Sequence, residues 1–284
     1  MNITLRSKLY REFHLSWLES DPDESFNKPT LIFLHGFPDN SYAWEKQIKY
    51  FAGNFRIIAP FIHGTNGDRM PGNRRYSIES YSLDLLSLLM DKGITDDSEV
   101  YIVAHDLGGV IAERLTHHLT EIIKGVVFIN SMGLYQFIDR KTSFTQIIKS
   151  WYIFLFQLPL INKTTLSFNT KKVLKKIYDS GGVEKKDPIR QNGAEVFSGI
   201  ELYRQYFKSG VKALKNNITP INNNVLFIFG EDDAFLNIPS YDEVEKFYNN
   251  FEIRVVDGNH WIQRSSPDRI NKLIQKSLTT WSAS

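Results

Sequence analysis

The sequence predicts an α/β fold: a mostly parallel central sheet with helices on both faces and an inserted helical lid. Three observations predict it. Short continuous apolar runs, which read as strands buried on both faces, alternate with amphipathic stretches of helical period. The run Val100-Tyr101-Ile102-Val103-Ala104-His105 turns abruptly at Asp106 into a helix, with small residues on either side, Ala104 and Gly108. From about residue 132 to 221 the strand signal disappears and a helical, aromatic-rich stretch replaces it.

Each element has a local justification. Residues 1–28 read as an edge hairpin, with alternation over Phe13–Leu18 and a turn signal at Asp21-Pro22-Asp23. Thr30–Leu34 is a buried strand running into His35-Gly36-Phe37-Pro38, followed by a helix from about Tyr42 to Phe51 and a strand over Phe55–Pro60. A loop rich in Gly, Asn, Pro and Arg leads to a helix over Ile78–Lys92, stopped by Gly93 as a C-cap. The strand before Asp106, its helix to about Thr120 and a strand over Gly125–Asn130 complete the first half. After the insert come a strand over Val225–Phe229, a helix near Tyr241–Tyr248, a strand over Ile253–Val256 and a final helix from Pro267. The domain reading is therefore a core of residues 1–131 and 222–284, interrupted by a helical lid, 132–221.

Composition excludes several function classes. A net charge of +2 over 284 residues gives no electrostatic case for nucleic acid. Cysteine is absent, which removes disulfides, thiolate catalysis and Cys-ligated metals. No His/Asp/Glu set has convincing ligand spacing, so neither a metal nor a cofactor is expected. The start, MNITLRSKLYREF, lacks the apolar core of a signal peptide, and no apolar run approaches the about 18 residues of a spanning helix. The expectation is a soluble cytoplasmic protein, monomer or homodimer, with no membrane insertion.

Three residues fall at predicted strand ends: Asp106, Asp233 in Gly230-Glu231-Asp232-Asp233, and His260 in Asp257-Gly258-Asn259-His260. Right-handed crossovers bring such ends to one edge of a parallel sheet. A carboxylate at a strand-to-helix elbow is anionic near neutral pH and needs no base in order to attack. Attack on an acyl carbon would give a labile anhydride, whereas attack on an sp3 carbon with a leaving oxygen or halide gives an alkyl ester. Water activated by His260, with Asp233 orienting the imidazole, would then hydrolyse that ester. Backbone N–H groups of Phe37 and Leu107 are expected to form the oxyanion hole. Asp232 competes with Asp233 for the acid role.

His35-Gly36-Phe37-Pro38, Ala104-His105-Asp106-Leu107-Gly108-Gly109, Gly230-Glu231-Asp232-Asp233 and His260 together resemble the α/β-hydrolase superfamily. The resemblance covers nearly the whole chain. It is to the branch with an Asp nucleophile, which holds epoxide hydrolases and the haloalkane and haloacetate dehalogenases. The family spacing, three residues after the Gly, favours Asp233 over Asp232. The segment Trp151-Tyr152-Ile153-Phe154 resembles the one bearing the first lid tyrosine of epoxide hydrolases, and Glu201-Leu202-Tyr203-Arg204 the one bearing the second. The resemblance thus implies Tyr152 and Tyr203 as proton donors to the opening epoxide, with Trp151, Tyr152 and Tyr203 lining the substrate site. Haloalkane dehalogenases carry halide-binding donors where this chain has Leu107 and Phe37, so that alternative needs other donors, such as Trp44 or Trp151. Haloacetate dehalogenases hold their substrate with arginines where this chain has Leu107, Gly109 and Val110. One departure is the loop Phe61-Ile62-His63-Gly64, where the superfamily usually has Asp-x-Arg-Gly. The expected activity is opening of a small apolar epoxide to a vicinal diol; a non-catalytic binder on the same scaffold is the further alternative.

Overall fold

The computed structural model describes residues 2–10, 13–20, 28–63, 65, 77–134, 136, 149, 172, 174–186, 204 and 219–283. Eight strands form one sheet in the order β1-β2-β4-β3-β5-β6-β7-β8. They are β1 (Ile3–Tyr10), β2 (Phe13–Ser20), β3 (Thr30–Leu34), β4 (Arg56–Pro60), β5 (Val100–His105), β6 (Ile123–Ile129), β7 (Ile221–Gly230) and β8 (Tyr248–Val256). The first two pair antiparallel, β2 runs antiparallel to β4, and every other pair is parallel. A parallel strand must be covered on both faces, and β3, β4 and β5 are buried along their whole length.

The period-2 alternation of β5 divides its side chains between two cores. Ile102 and Ala104 face one layer, with Leu85 and Leu88 of α2 (Ile78–Asp91) and Ile111 and Leu115 of α3 (Leu107–His118). Tyr101 and Val103 face the other, with Ile48 and Phe51 of α1 (Glu45–Phe51) and Ile270, Ile274 and Leu278 of α6 (Pro267–Ser282). Ser77 starts α2 by accepting the Ser80 N–H, and Gly93 ends its last turn with φ 76°.

Three boundaries differ from expectation. The segment from Ser41 begins as a 3-10 turn over Ser41–Trp44 before α1. Strand β7 begins at Ile221, ahead of Val225. The helix expected over Tyr241–Tyr248 is a single turn, α4 (Tyr241–Val244), and Tyr248 is already the first residue of β8. The Tyr241/Val244/Tyr248 spacing fits a helix equally well. Packing decides against it: the Tyr248 ring meets Phe128 and Phe227, and its hydroxyl donates to Glu113 at 3.1 Å. A further short helix, α5 (Ile262–Ser265), precedes α6.

The carboxyl ends of β3, β5, β6, β7 and β8 lie side by side on one edge. There the chain turns at His35, Asp106, Asn130, Glu231 and Asp257.

Candidate active site

Asp106 has φ 48° and ψ −122°, a conformation that non-glycine residues rarely adopt. The turn holds because nothing crowds it. A Cβ on Gly36 would stand 2.4 Å from Asp106 Cβ, and one on Gly108 would stand 2.3 Å from the Leu34 carbonyl oxygen. Ser131 Oγ donates to the Asp106 carbonyl at 2.5 Å and holds the elbow from behind. The carboxylate therefore stands clear of the sheet at the start of α3, where the N–H of Leu107, as the first helical residue, has no intrahelical acceptor.

The loop after β3 supplies a second donor. The Phe37 N–H donates to Asp106 Oδ1 at 2.8 Å. This loop is fixed by His35, fully buried, whose pKa burial pushes down to about 4 against a raising bond with the Gly36 carbonyl. The neutral ring donates from Nδ1 to Gly36 O at 2.9 Å and accepts the Ile62 N–H on Nε2 at 3.0 Å.

Beyond β7, Asp233 Oδ1 accepts the N–H groups of Phe235 and Leu236, at 2.7 and 3.0 Å. Its Oδ2 receives the His260 Nδ1–H at 2.8 Å. That bond leaves Nε2 pointing across the site, 3.7 Å from Asp106 Oδ2, too far for a direct hydrogen bond. Asp232 is exposed, and its backbone N–H ties the loop to Gly258. Of the two competing carboxylates, only Asp233 reaches His260. Burial alone would lower the His260 pKa, but the charge and hydrogen bond of Asp233, then the charges of Asp106 and Asp39, outweigh it and raise it above the ordinary value.

Three neighbours of the site were not singled out by sequence reasoning. Asp39 is 1% exposed and receives the Trp261 Nε1–H on Oδ2 at 2.8 Å. Burial pushes its carboxyl up to about 7, partly offset by Trp261, Arg264 and His260. His105 bonds backbone: its Nε2 donates to the His260 carbonyl at 2.9 Å. Burial, the neighbouring His260 and His35 keep it neutral well below its usual pKa. Neither Asp39 Oδ1 nor His105 Nδ1 has a hydrogen-bond partner among the described residues. Asn130, at the end of β6, donates to the same His260 carbonyl. Only the position of Asp39 directly after Pro38, and of Asn130 at a strand end, could have drawn notice in the sequence.

A family model described as the alpha/beta hydrolase fold matches residues 29–267. The chain belongs to the α/β-hydrolase family. It is 30% identical to epoxide hydrolase 4 of Homo sapiens over 270 residues, covering 87% of this chain and 71% of that protein. It is 27% identical to epoxide hydrolase 3 of Xenopus tropicalis, covering 88% and 71%. The Bacillus megaterium epoxide hydrolase in complex with an inhibitor superposes with a TM-score of 0.78 at 21% identity, over 96% of this chain and 100% of that one. This α/β hydrolase is an enzyme of the epoxide-hydrolase-like kind.

Within the hydrolase, the helix over residues 174–180 comes from the inserted stretch and lies on the site loops. Its lysines Lys175 and Lys176 are exposed, as is Lys172 ahead of it, while Leu174, Ile177 and Tyr178 join the core. The Tyr178 ring packs on Trp261 at 5.5 Å, and Asn259 Nδ2 donates to the Gly182 carbonyl at 3.1 Å. Trp151, Tyr152 and Tyr203 lie outside the described residues. Trp44 is buried against Phe33 and the ring of His105, beneath the sheet edge. His63, in the departing loop, is buried with its Nε2 3.2 Å from Asp84. Among the described residues no cluster of His, Asp and Glu could hold a metal ion, and no helix is long and apolar enough to cross a membrane.

Proposed function

We propose that the enzyme opens small apolar epoxides to vicinal diols through a covalent ester on Asp106. The observation that carries this is a carboxylate, rather than a hydroxyl, on the strained elbow, with one oxygen on a backbone N–H and the other facing a carboxylate-held imidazole. Asp106 Oδ2 attacks an epoxide carbon and the carbon–oxygen bond of the ring breaks. Tyr152 and Tyr203, contributed by residues 132–221 acting as a lid, protonate the departing alkoxide. A phenol of pKa about 10 keeps its proton at neutral pH and is suited to that task.

The ester then presents Oδ1 as its carbonyl oxygen. His260 Nε2 takes a proton from water as the water attacks Cγ. The negative charge grows on Oδ1, where Phe37 already donates and Leu107 is the second donor. Collapse breaks the Cγ–Oδ2 bond and the proton on His260 goes to the leaving alkoxide; the second water proton, left on the regenerated Asp106 carboxyl, returns to the phenolate that protonated the first alkoxide, and the diol departs. The charge balance favours this order. While Asp106 is ionised its charge helps to raise the His260 pKa. Esterification removes that charge, so the imidazole becomes the neutral base at the step that needs one.

A panel of aryl and alkyl epoxides and haloalkanes, read for diol and free halide in parallel, tests this. The expected result is diol without halide, lost on Asp106→Ala by about 10⁴-fold or more, and strongly reduced by Tyr152→Phe combined with Tyr203→Phe. Halide without diol would overturn it.

A further inference from the structure

Asn130 has no role in the chemistry just described, yet its geometry is costly and specific. It is fully buried and sits at φ 41°, and with Asp106 it is one of two non-glycine residues with positive φ among the described residues. Asn tolerates that conformation better than most side chains. Its backbone N–H joins the β7 strand at the Ile228 carbonyl, 2.9 Å away. Its side chain then bridges two loops. Oδ1 accepts the N–H of Gly230, three residues before Asp233, at 2.7 Å. Nδ2 donates to the carbonyls of Asn259 and His260, each at 2.8 Å.

One amide therefore joins the base of the acid's loop to the backbone of the histidine itself. The ring closes through the Asp233–His260 bond at 2.8 Å. The backbone hydrogen bonds between these loops, Glu231 to Val256 and Asp232 to Gly258, stop short of His260, and the Phe235 ring meets the imidazole only edge-on, centroids 4.9 Å apart. Besides Asn130, the His260 carbonyl is held by His105 Nε2.

We propose that Asn130 is a positioning residue for His260: its amide sets the distance and angle from Nε2 to the Asp106 carboxyl. It therefore governs hydrolysis of the ester and not its formation. The inference rests on the covalent-ester reading above, because only a two-step reaction separates an Asp106-dependent step from a His260-dependent one. A displaced base costs rate steeply, about 100-fold for a shift of about 1 Å.

The test uses styrene oxide with the full chain, comparing wild type, His260→Gln, Asn130→Gly and Asn130→Asp by intact mass and by rapid-quench first-turnover rates. Glycine accepts the backbone conformation and removes the amide. Aspartate keeps the shape and the Gly230 bond but loses both donations, and carries the test should the glycine variant fail to fold. The expected result is that Asn130 variants accumulate the ester, as His260→Gln does. Steady-state turnover falls about 10- to 100-fold, and the rate of ester formation stays within about 3-fold of wild type. Wild-type turnover with no ester, or equal slowing of both steps, overturns the proposal while leaving the covalent reading intact. Absence of ester in His260→Gln, with no diol from wild type, overturns the covalent reading and this inference with it.

Discussion

Two buried charge clusters sit at opposite ends of the sheet, and they are built on opposite rules. At the amino end of β4, Glu19 is 1% exposed and surrounded by opposite charge and donors. Lys92 Nζ reaches it at 2.6 Å, Arg56 at 3.4 Å and the Trp17 indole N–H at 3.0 Å, with Lys92 also 4.9 Å over the Trp17 ring. One anion there faces two cations. At the carboxyl end, three carboxylates, Asp39, Asp106 and Asp233, surround one imidazole, and Asp39 Oδ1 and His105 Nδ1 have no hydrogen-bond partner among the described residues. The first arrangement leaves its anion fully paired and holds β2, β4 and the end of α2 together. The second leaves proton affinities displaced, which costs stability and suits a reaction that moves charge. A buried charge is thus not informative by itself; the balance around it is.

The comparison is sharpened most by Asp233→Asn. If the carboxyl-end cluster exists to orient and charge His260, an amide there favours the wrong tautomer. Ester hydrolysis should fall by about 10⁴-fold, with the ester persisting in intact mass. Little change in turnover would make this end structural as well. The next effect belongs to the other end. Glu19→Gln leaves two cations facing a neutral amide and should cost about 3 kcal/mol of folding stability. Thermal unfolding measures it, and turnover of the folded enzyme should not change. A fall in turnover without a fall in stability would erase the distinction between the clusters.

The smallest effect is linked to pH. The Asp39 carboxyl titrates at about 7 when folded, against 3.8 as its unperturbed value. The native state binds a proton that the unfolded chain has released. This contribution to stability is full below about pH 4 and is lost as pH rises through about 7. Asp39→Asn does not titrate, so its melting temperature relative to wild type should climb by several degrees between pH 4 and pH 8. A pH-independent difference would mean that Asp39 is paired as well as Glu19 is.

What could be read in the sequence follows the range of the forces involved. The elbow at Asp106 was legible because an apolar run, a turn and two small residues lie within ten positions. The parallel sheet with helices on both faces followed from the alternation of buried strands and helical stretches, and the order of its strands did not. Asp233 and His260 were found as strand-end residues, and they meet at the distance such an edge implies. The parts that were not legible depend on partners remote in sequence. Asn130 binds carbonyls about 130 positions away, and Asp39 an indole more distant still. Tyr248 reads as helix until Phe128, Phe227 and Glu113 place it in a strand. No local period encodes such meetings.

The sheet leaves off at Ile129 and resumes at Ile221 in the adjacent lane, with Ile129 set beside Ile228. The stretch between therefore leaves and re-enters the sheet at two adjacent points, and Tyr178 within it rests on Trp261. The entropy of closing such a loop grows only logarithmically, about 0.6 kcal/mol for each doubling of length. A change of length in such a stretch is accordingly cheap in closure entropy, whereas a change at Leu174, Ile177 or Tyr178 is felt in the core that these residues join. If that stretch acts as the proposed lid, new substrate shapes can be tried in it while the elbow at Asp106 stays as it is.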